Sequence, residues 1–338
     1  MSNQQAHHHY EQALAALDDG NASIIDKVEM LMEIAMGLQM RPKTPEQLID
    51  AISLYERALE LCPKEEILLS ARIRARKATA LQMVPSEEVG YLLQARDELE
   101  TSLSVLSMHG GLNEEIAEAQ INLGLIHQSL AQAGRAKITD AIVLYQQALR
   151  VFTKESYPAE YAILHNNLAT AFLSMPMSDE RGKMREALAV QSFEAALEVI
   201  SLEESPSEYA MLQNNLGNAL QYVSSSHGVE NNLRALDAYE EALKVRTEQT
   251  TPVPYATTIA NKANCLRNLP DDLKEPTKGN QQRLVQARLL YRDAQRILAA
   301  YGENVRAQML GEALADVERE LSDNRSHRGQ DKFGNSPI

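Results

Sequence analysis

One pattern recurs six times along the chain and leaves few folds open. Alanine is followed by three residues, an aromatic or large apolar residue, two more residues, then a small residue and an apolar one. It reads AISLYERALEL from Ala51, ARDELETSLSV from Ala95, AIVLYQQALRV from Ala141, AVQSFEAALEV from Ala189, ALDAYEEALKV from Ala235 and ARLLYRDAQRI from Ala287. The anchor alanines lie 44, 46, 48, 46 and 52 residues apart. Each copy carries apolar residues at helical spacing, such as Leu144, Tyr145, Ala148, Leu149 and Phe152. A fixed period of this size is the sequence form of stacked helical repeats, because one unit cannot bury its apolar stripe without a neighbour.

Each copy reads as the second helix, B, of a hairpin, with a first helix, A, before it. Pro158, Pro206 and Pro252 each stand 17 residues past an anchor alanine, so the B-to-A turn has a constant length. Ser205-Pro206-Ser207-Glu208 offers an N-cap hydroxyl, a proline at the first helical position and an acid three residues after the cap. Thr251-Pro252 offers a similar start. The A helices align through INLGLI (121–126), NNLATAF (166–172), NNLGNAL (214–220) and ANKANCL (260–266). Asn122, Asn167, Asn215 and Asn261 then share one register, and Gly124, Ala169, Gly217 and Ala263 follow two residues later. A small residue there lets the two helices of a hairpin approach closely. Cys265 falls at the next small position and reads as core. SIIDKVEMLMEIAMGLQM (23–40) serves as the first A helix, its methionines suited to adaptable packing. ARIRARKATAL (71–81) serves as the second, with Arg76 where the others have Asn.

N-L-G-x-A in helix A, with A-x3-Y-x2-A-L in helix B, resembles the tetratricopeptide repeat family over roughly residues 20–302. The long period and the wording P-x-E-Y-A…N-N-L-G-N-A-L are similar to the extended repeats of kinesin light chains. They also resemble bacterial arrays found beside caspase-like CHAT domains, although nothing here resembles that protease. The chain departs from the 34-residue standard in its period of about 46, in lacking Trp, and in keeping the proline after helix B only as Pro63. The resemblance implies an all-α, right-handed superhelical solenoid of antiparallel helix hairpins. The expected organisation is an N-terminal segment (1–19), partly disordered, then six hairpins (20–302), a C-terminal capping helix (303–322) and a disordered polar tail (323–338). Long A-to-B loops are expected at 175–185, 224–232 and 270–282.

In the resembling family helix A lines a concave groove and the asparagine of the N-L-G motif points into it. The implied wall comprises Asn122, Asn166, Asn167, Thr170, Asn214, Asn215, Asn218, Gln221, Asn261, Asn264 and Arg267. An Asn amide carries both a donor and an acceptor, so a row of them can hold an extended chain by its backbone. The same amides can instead bond across adjacent A helices and fix the stacking; the two uses are compatible. Arg72 and Arg76 lie on one face of the second A helix. They can grip a carboxylate bidentately, as in carboxylate-clamp repeats, or form a solvated charged face.

The formal net charge of −14 argues against nucleic acid or an anionic membrane as a partner. No apolar run approaches the ~20 residues of a membrane span. Two widely separated cysteines suit a reducing compartment, and the N-terminus has no export pattern, so a cytoplasmic protein is expected. No phosphate-binding, dinucleotide, zinc-protease or nucleophile-elbow motif occurs. Asp271-Asp272-Leu273-Lys274-Glu275 has the acidic spacing of a metal–diphosphate site but falls in an expected loop. His7-His8-His9 reads as a floppy terminus, and His127, His165 and His227 lack ligand-spaced partners. The expectation is a non-enzymatic protein–protein interaction module without cofactor or metal, binding a peptide segment or helix of a partner as adaptor, assembly factor or regulator. A peptide-responsive signalling regulator and a structural homo-oligomer are the alternatives.

Overall fold

A computed structural model of the chain describes residues 22–86, 88–175, 181–223 and 227–331. The expected segment 1–19, its histidines, and residues 332–338 of the expected tail lie outside them. Thirteen helices follow in order among the described residues, with no strand: α1 (Ile24–Met40), α2 (Pro45–Leu61), α3 (Ile67–Met83), α4 (Gly90–Ser107), α5 (Asn113–Gln132), α6 (Ile138–Ala148), α7 (Pro158–Leu173), α8 (Arg181–Leu197), α9 (Pro206–Tyr222), α10 (Gly228–Leu243), α11 (Pro252–Arg267), α12 (Gln281–Ala300) and α13 (Asn304–Asp331). Odd-numbered helices up to α11 are the A helices and even-numbered ones the B helices, which makes the fold an α solenoid of helix hairpins.

The helix starts follow from local chemistry. Ser23 forms a reciprocal capping box with Asp26, each side chain accepting the other's backbone N–H at 3.1 and 3.0 Å. Pro158, Pro206 and Pro252 open α7, α9 and α11, where the missing N–H costs nothing. Ser205 and Thr251 stand at the N-cap positions but neither side chain caps its helix. The Thr251 hydroxyl instead accepts the Thr247 N–H of the preceding turn, at 3.3 Å. Of the expected loops, 176–180 and 224–226 lie outside the described residues, while α8 and α10 begin within the remainder. The third holds a short 3-10 turn, Pro276–Lys278. The last helix does not end at 322 but runs to Asp331, a stretch in which no proline interrupts the ladder.

The chain divides into two compact units between Met175 and Pro176. In the first, Leu31, Tyr55, Ile73, Leu99 and Ile126 belong to one continuous core, and Tyr145, Phe152, Leu164 and Leu168 to another. In the second, Leu284 and Tyr291 of α12 pack with Val317 and Leu321 of α13, so that the last helix covers the final hairpin. Each fully buried large side chain contributes about 1.5–3 kcal/mol.

The small residue of helix A has a measurable purpose. A Cβ on Gly217 would lie 2.6 Å from Cε1 of the fully buried Tyr239, and one on Gly124 2.4 Å from Cε1 of Tyr145. Alanine stands at this register elsewhere (Ala35, Ala78, Ala169, Ala263), so a methyl is not foreign to the fold; the ring position excludes it at 124 and 217. Gly217→Ala is expected to lose about 1–3 kcal/mol in urea unfolding, the overpacking outweighing the helix-propensity gain of about 1 kcal/mol.

A charged cluster interrupts the apolar core of the first unit. The Lys77 ammonium, with its side chain only 6% exposed, lies 3.0 Å from both Glu98 and Glu56. Glu98 also accepts from Arg74 at 2.5 Å. Burial alone would depress the lysine's proton affinity, but the hydrogen bonds and charges of Glu56 and Glu98 outweigh it and hold its pKa above the ordinary 10.5.

Candidate functional site

Three successive A helices of the first unit, α1, α3 and α5, line a cleft of about 360 Å³ with Leu106 of α4 at its floor. Three of the expected groove residues, Arg72, Arg76 and Asn122, meet there, beside Met32 and Glu118. Arg72 does make a bidentate carboxylate grip, but on its own chain. Its Nε and Nη2 each donate to Glu115 at 2.8 Å, which raises the arginine's pKa and lowers the glutamate's. The exposed Arg76 guanidinium has no ion pair or hydrogen bond among the described residues, and neither does the half-buried Asn122 amide.

A polar relay links A helices within this unit, and half of its members escaped the sequence reading. The hydroxyl of the buried Tyr55 donates to Gln39 Oε1 at 3.0 Å, and Gln39 Nε2 donates to Thr79 Oγ1 at 2.8 Å. Thr79 passes its own proton to the Arg76 carbonyl, 2.7 Å away. The third and fourth repeats copy the chain: Tyr145 to Gln128 (3.1 Å), Gln128 to Thr170 (3.2 Å), Thr170 to the Asn167 carbonyl (2.9 Å). Burial pushes the Tyr55 hydroxyl to about 12 and Tyr145 higher still, so both remain donors. The missed signal pairs a glutamine four residues past the small residue (Gln39, Gln128) with a threonine one residue past it in the next repeat (Thr79, Thr170), whereas Gln221 at the same register reaches the Asn261 carbonyl.

In the second unit the expected groove amides are engaged with neighbouring helices. Tyr239 donates to Asn218 Oδ1 at 2.8 Å and accepts from Gln221, whose Nε2 also reaches the Asn261 carbonyl at 3.1 Å. The Asn261 amide donates to Asn214 Oδ1 at 3.3 Å, a direct bond between α11 and α9. Asn264 accepts from Tyr291, and Arg267 Nε donates to Glu320 of α13 at 2.9 Å. Each Asn–Asn pair also bonds internally, Asn166 to Asn167 and Asn214 to Asn215, both at 3.4 Å. The pairs differ in burial: Asn167 is the buried member of the first (8% exposed) and Asn214 of the second (5%). Nδ2 of Asn167 has no acceptor among the described residues.

The residues set aside as chemistry have structural work. Asp271 caps α12, its carboxylate accepting the backbone N–H of Gln282 and Arg283, both at 2.9 Å. Cys265 is fully buried, its thiol donating to the Asn232 carbonyl at 2.9 Å, and burial pushes its pKa up to about 12. Burial likewise lowers the His127 pKa. Among the described residues no cluster of His, Cys, Asp or Glu is placed to hold a metal ion. No described helix is long and apolar enough to cross a membrane.

No family model and no curated protein matches the chain. Solved structures do. BtubC (BKLC) from P. vanneervenii, a kinesin-light-chain-like tetratricopeptide protein, superposes with a TM-score of 0.50 at 20% identity, over 72% of this chain and 89% of its own. The Rap conjugation gene regulator of the plasmid pLS20, solved with the Phr* peptide, gives a TM-score of 0.48 at 14% identity, over 95% of this chain and 81% of its own. With paired helices, small residues under B-helix rings and this neighbour in BtubC, the fold is a tetratricopeptide-like α solenoid.

Proposed function

We propose that the chain is a protein-interaction module that holds an extended segment of a partner against its A helices, in the role of adaptor, assembly factor or regulator. The supporting observation is the first-unit cleft, where a guanidinium and an amide without internal bonds stand between apolar Met32 and Leu106. The relay behind them ties α1 to α3 and α5 to α7, so these groups are presented on a braced surface and little ordering is needed on binding. Each hydrogen bond to these groups contributes about 0.5–1.5 kcal/mol, which suits roughly micromolar affinity after ordering costs.

Peptides selected by display against the full chain provide the test. They are expected to bind Arg76→Glu about tenfold or more weakly than the natural chain. Its thermal unfolding should be unchanged, since Arg76 is exposed and braces nothing. Failure to select any peptide, or peptides that bind Arg76→Glu and Asn122→Ala undiminished, would remove this reading.

A further inference from the structure

The second unit holds another groove, between the B helices α10 and α12 and the A helix α11, and comparison with the first two repeats identifies what it lacks. Lys262 occupies in α11 the register of Lys77 in α3, and Glu240 the register of Glu56, five residues past the anchor alanine. The same ion pair forms, Lys262 to Glu240 at 3.1 Å. The remaining half of the buried cluster is gone. Where Lys77 also meets Glu98, three past its anchor, the sixth repeat has Leu290; where Glu98 meets Arg74, it has Ile259. Lys262 therefore keeps one carboxylate, itself 63% exposed, and its own side chain is 22% exposed against 6% for Lys77.

The space beside it is open and lined by Leu236, Leu289, Leu290, Lys262, Glu240 and Arg283. Leu289 is 49% exposed. Arg283 stands where the second repeat has Tyr91, and its side chain donates to the Pro270 carbonyl at 2.8 Å without an acidic partner among the described residues. The nearby Asp271 carboxylate is occupied by the α12 backbone. The lining thus carries two cations against one carboxylate, in a chain whose net charge is −14. A local positive excess beside one exposed and two half-buried leucines is complementary to an acid flanked by apolar side chains.

We infer that this groove docks a partner segment bearing a glutamate between leucine-sized residues, its carboxylate taking on Lys262 and Arg283 the place that Glu98 takes on Lys77. This is a second contact, separate from the first-unit cleft, and it is tested separately. Methyl NMR of the full chain is titrated with the peptide acetyl-Leu-Glu-Leu-amide. The Leu236, Leu289 and Leu290 methyls are expected to shift saturably. The glutamine analogue should bind at least about tenfold more weakly, because the charge-assisted bond is lost. Leu290→Glu restores the side chain found at this register in the second repeat, so the variant fills its own groove and should not respond. Lys262→Met, which keeps the stem and removes the charge, should weaken the peptide as the glutamine analogue does. Absence of saturable shifts at these methyls, equal binding of the two peptides, or an undiminished response from both variants overturns the inference. So does a methyl shift that follows protein concentration and vanishes in Leu290→Glu, because the occupant is then a second copy of the chain.

Discussion

Glu98→Ala is expected to destabilise the first unit by about 3–5 kcal/mol, the usual cost of leaving buried charge without its partner. Removing this carboxylate strips two cations at once. Lys77 keeps only the half-exposed Glu56, and Arg74 loses its 2.5 Å contact. Lys77→Ala should cost less, because Glu98 retains Arg74. The double replacement Lys77→Met with Glu98→Leu should fall within about 1 kcal/mol of the natural chain, since a well-packed apolar pair substitutes for a buried ionic one at little net cost. Urea unfolding of the three variants distinguishes these outcomes, and equal losses in all three would contradict the argument.

The same cluster has a defined pH response. Lys77 has a folded pKa above its unfolded value, so its charge contributes stability in full at neutral pH and below the unfolded 10.5. That contribution is lost as pH rises through the raised folded value. The stability difference between the natural chain and Lys77→Met should hold constant from pH 7 to 9 and shrink only in strongly alkaline solution.

Tyr145→Ala is the second large effect, expected at about 3–5 kcal/mol, as for other fully buried aromatic rings. Its ring fills the space that Gly124 leaves, and its hydroxyl starts the relay to Gln128, Thr170 and the Asn167 carbonyl. Tyr145→Phe separates the two roles. It keeps the ring and leaves Gln128 Oε1 without its donor, for about 1–2 kcal/mol. Because stability in a stacked array is carried largely by nearest-neighbour interfaces, hydrogen exchange in Tyr145→Phe should accelerate in α5 and α7 before α1 and α2. Uniform acceleration across the first unit would show that the relay does not act locally.

The solenoid of paired helices was legible because a period near 46 residues is written in the largest buried side chains. Tyr55, Tyr145, Tyr239 and Tyr291 all sit four past an anchor alanine and are all fully buried. Polar pairing was less legible. Aligning the A helices on their asparagines drew attention to Asn167 and Asn215 and away from Gln39 and Thr79, whose relation skips from one repeat to the next. The sequence leaves Arg72 either a carboxylate grip or part of a solvated charged face, because Glu115 lies 43 residues downstream and only stacking brings it into reach. The Ser205 cap failed for a local reason. The residue type was right, but the Ser205 backbone (ψ 64°) departs from the extended N-cap geometry with which Ser23 (ψ 162°) caps its helix.

The relay has a consequence for how such an array can grow or be cut. Its sender, Tyr with Gln, belongs to the first and third hairpins, and its receiver, Thr79 or Thr170, to the second and fourth. At the receiving register the senders themselves carry Met36 and Leu125, which offer no hydroxyl. Copying one hairpin would set a sender against a sender, whereas copying two would restore the exchange. The sequence repeats every hairpin, but the grammar of the first four is written in two-hairpin words, and a graft or truncation that respects the word keeps Gln39 and Gln128 answered.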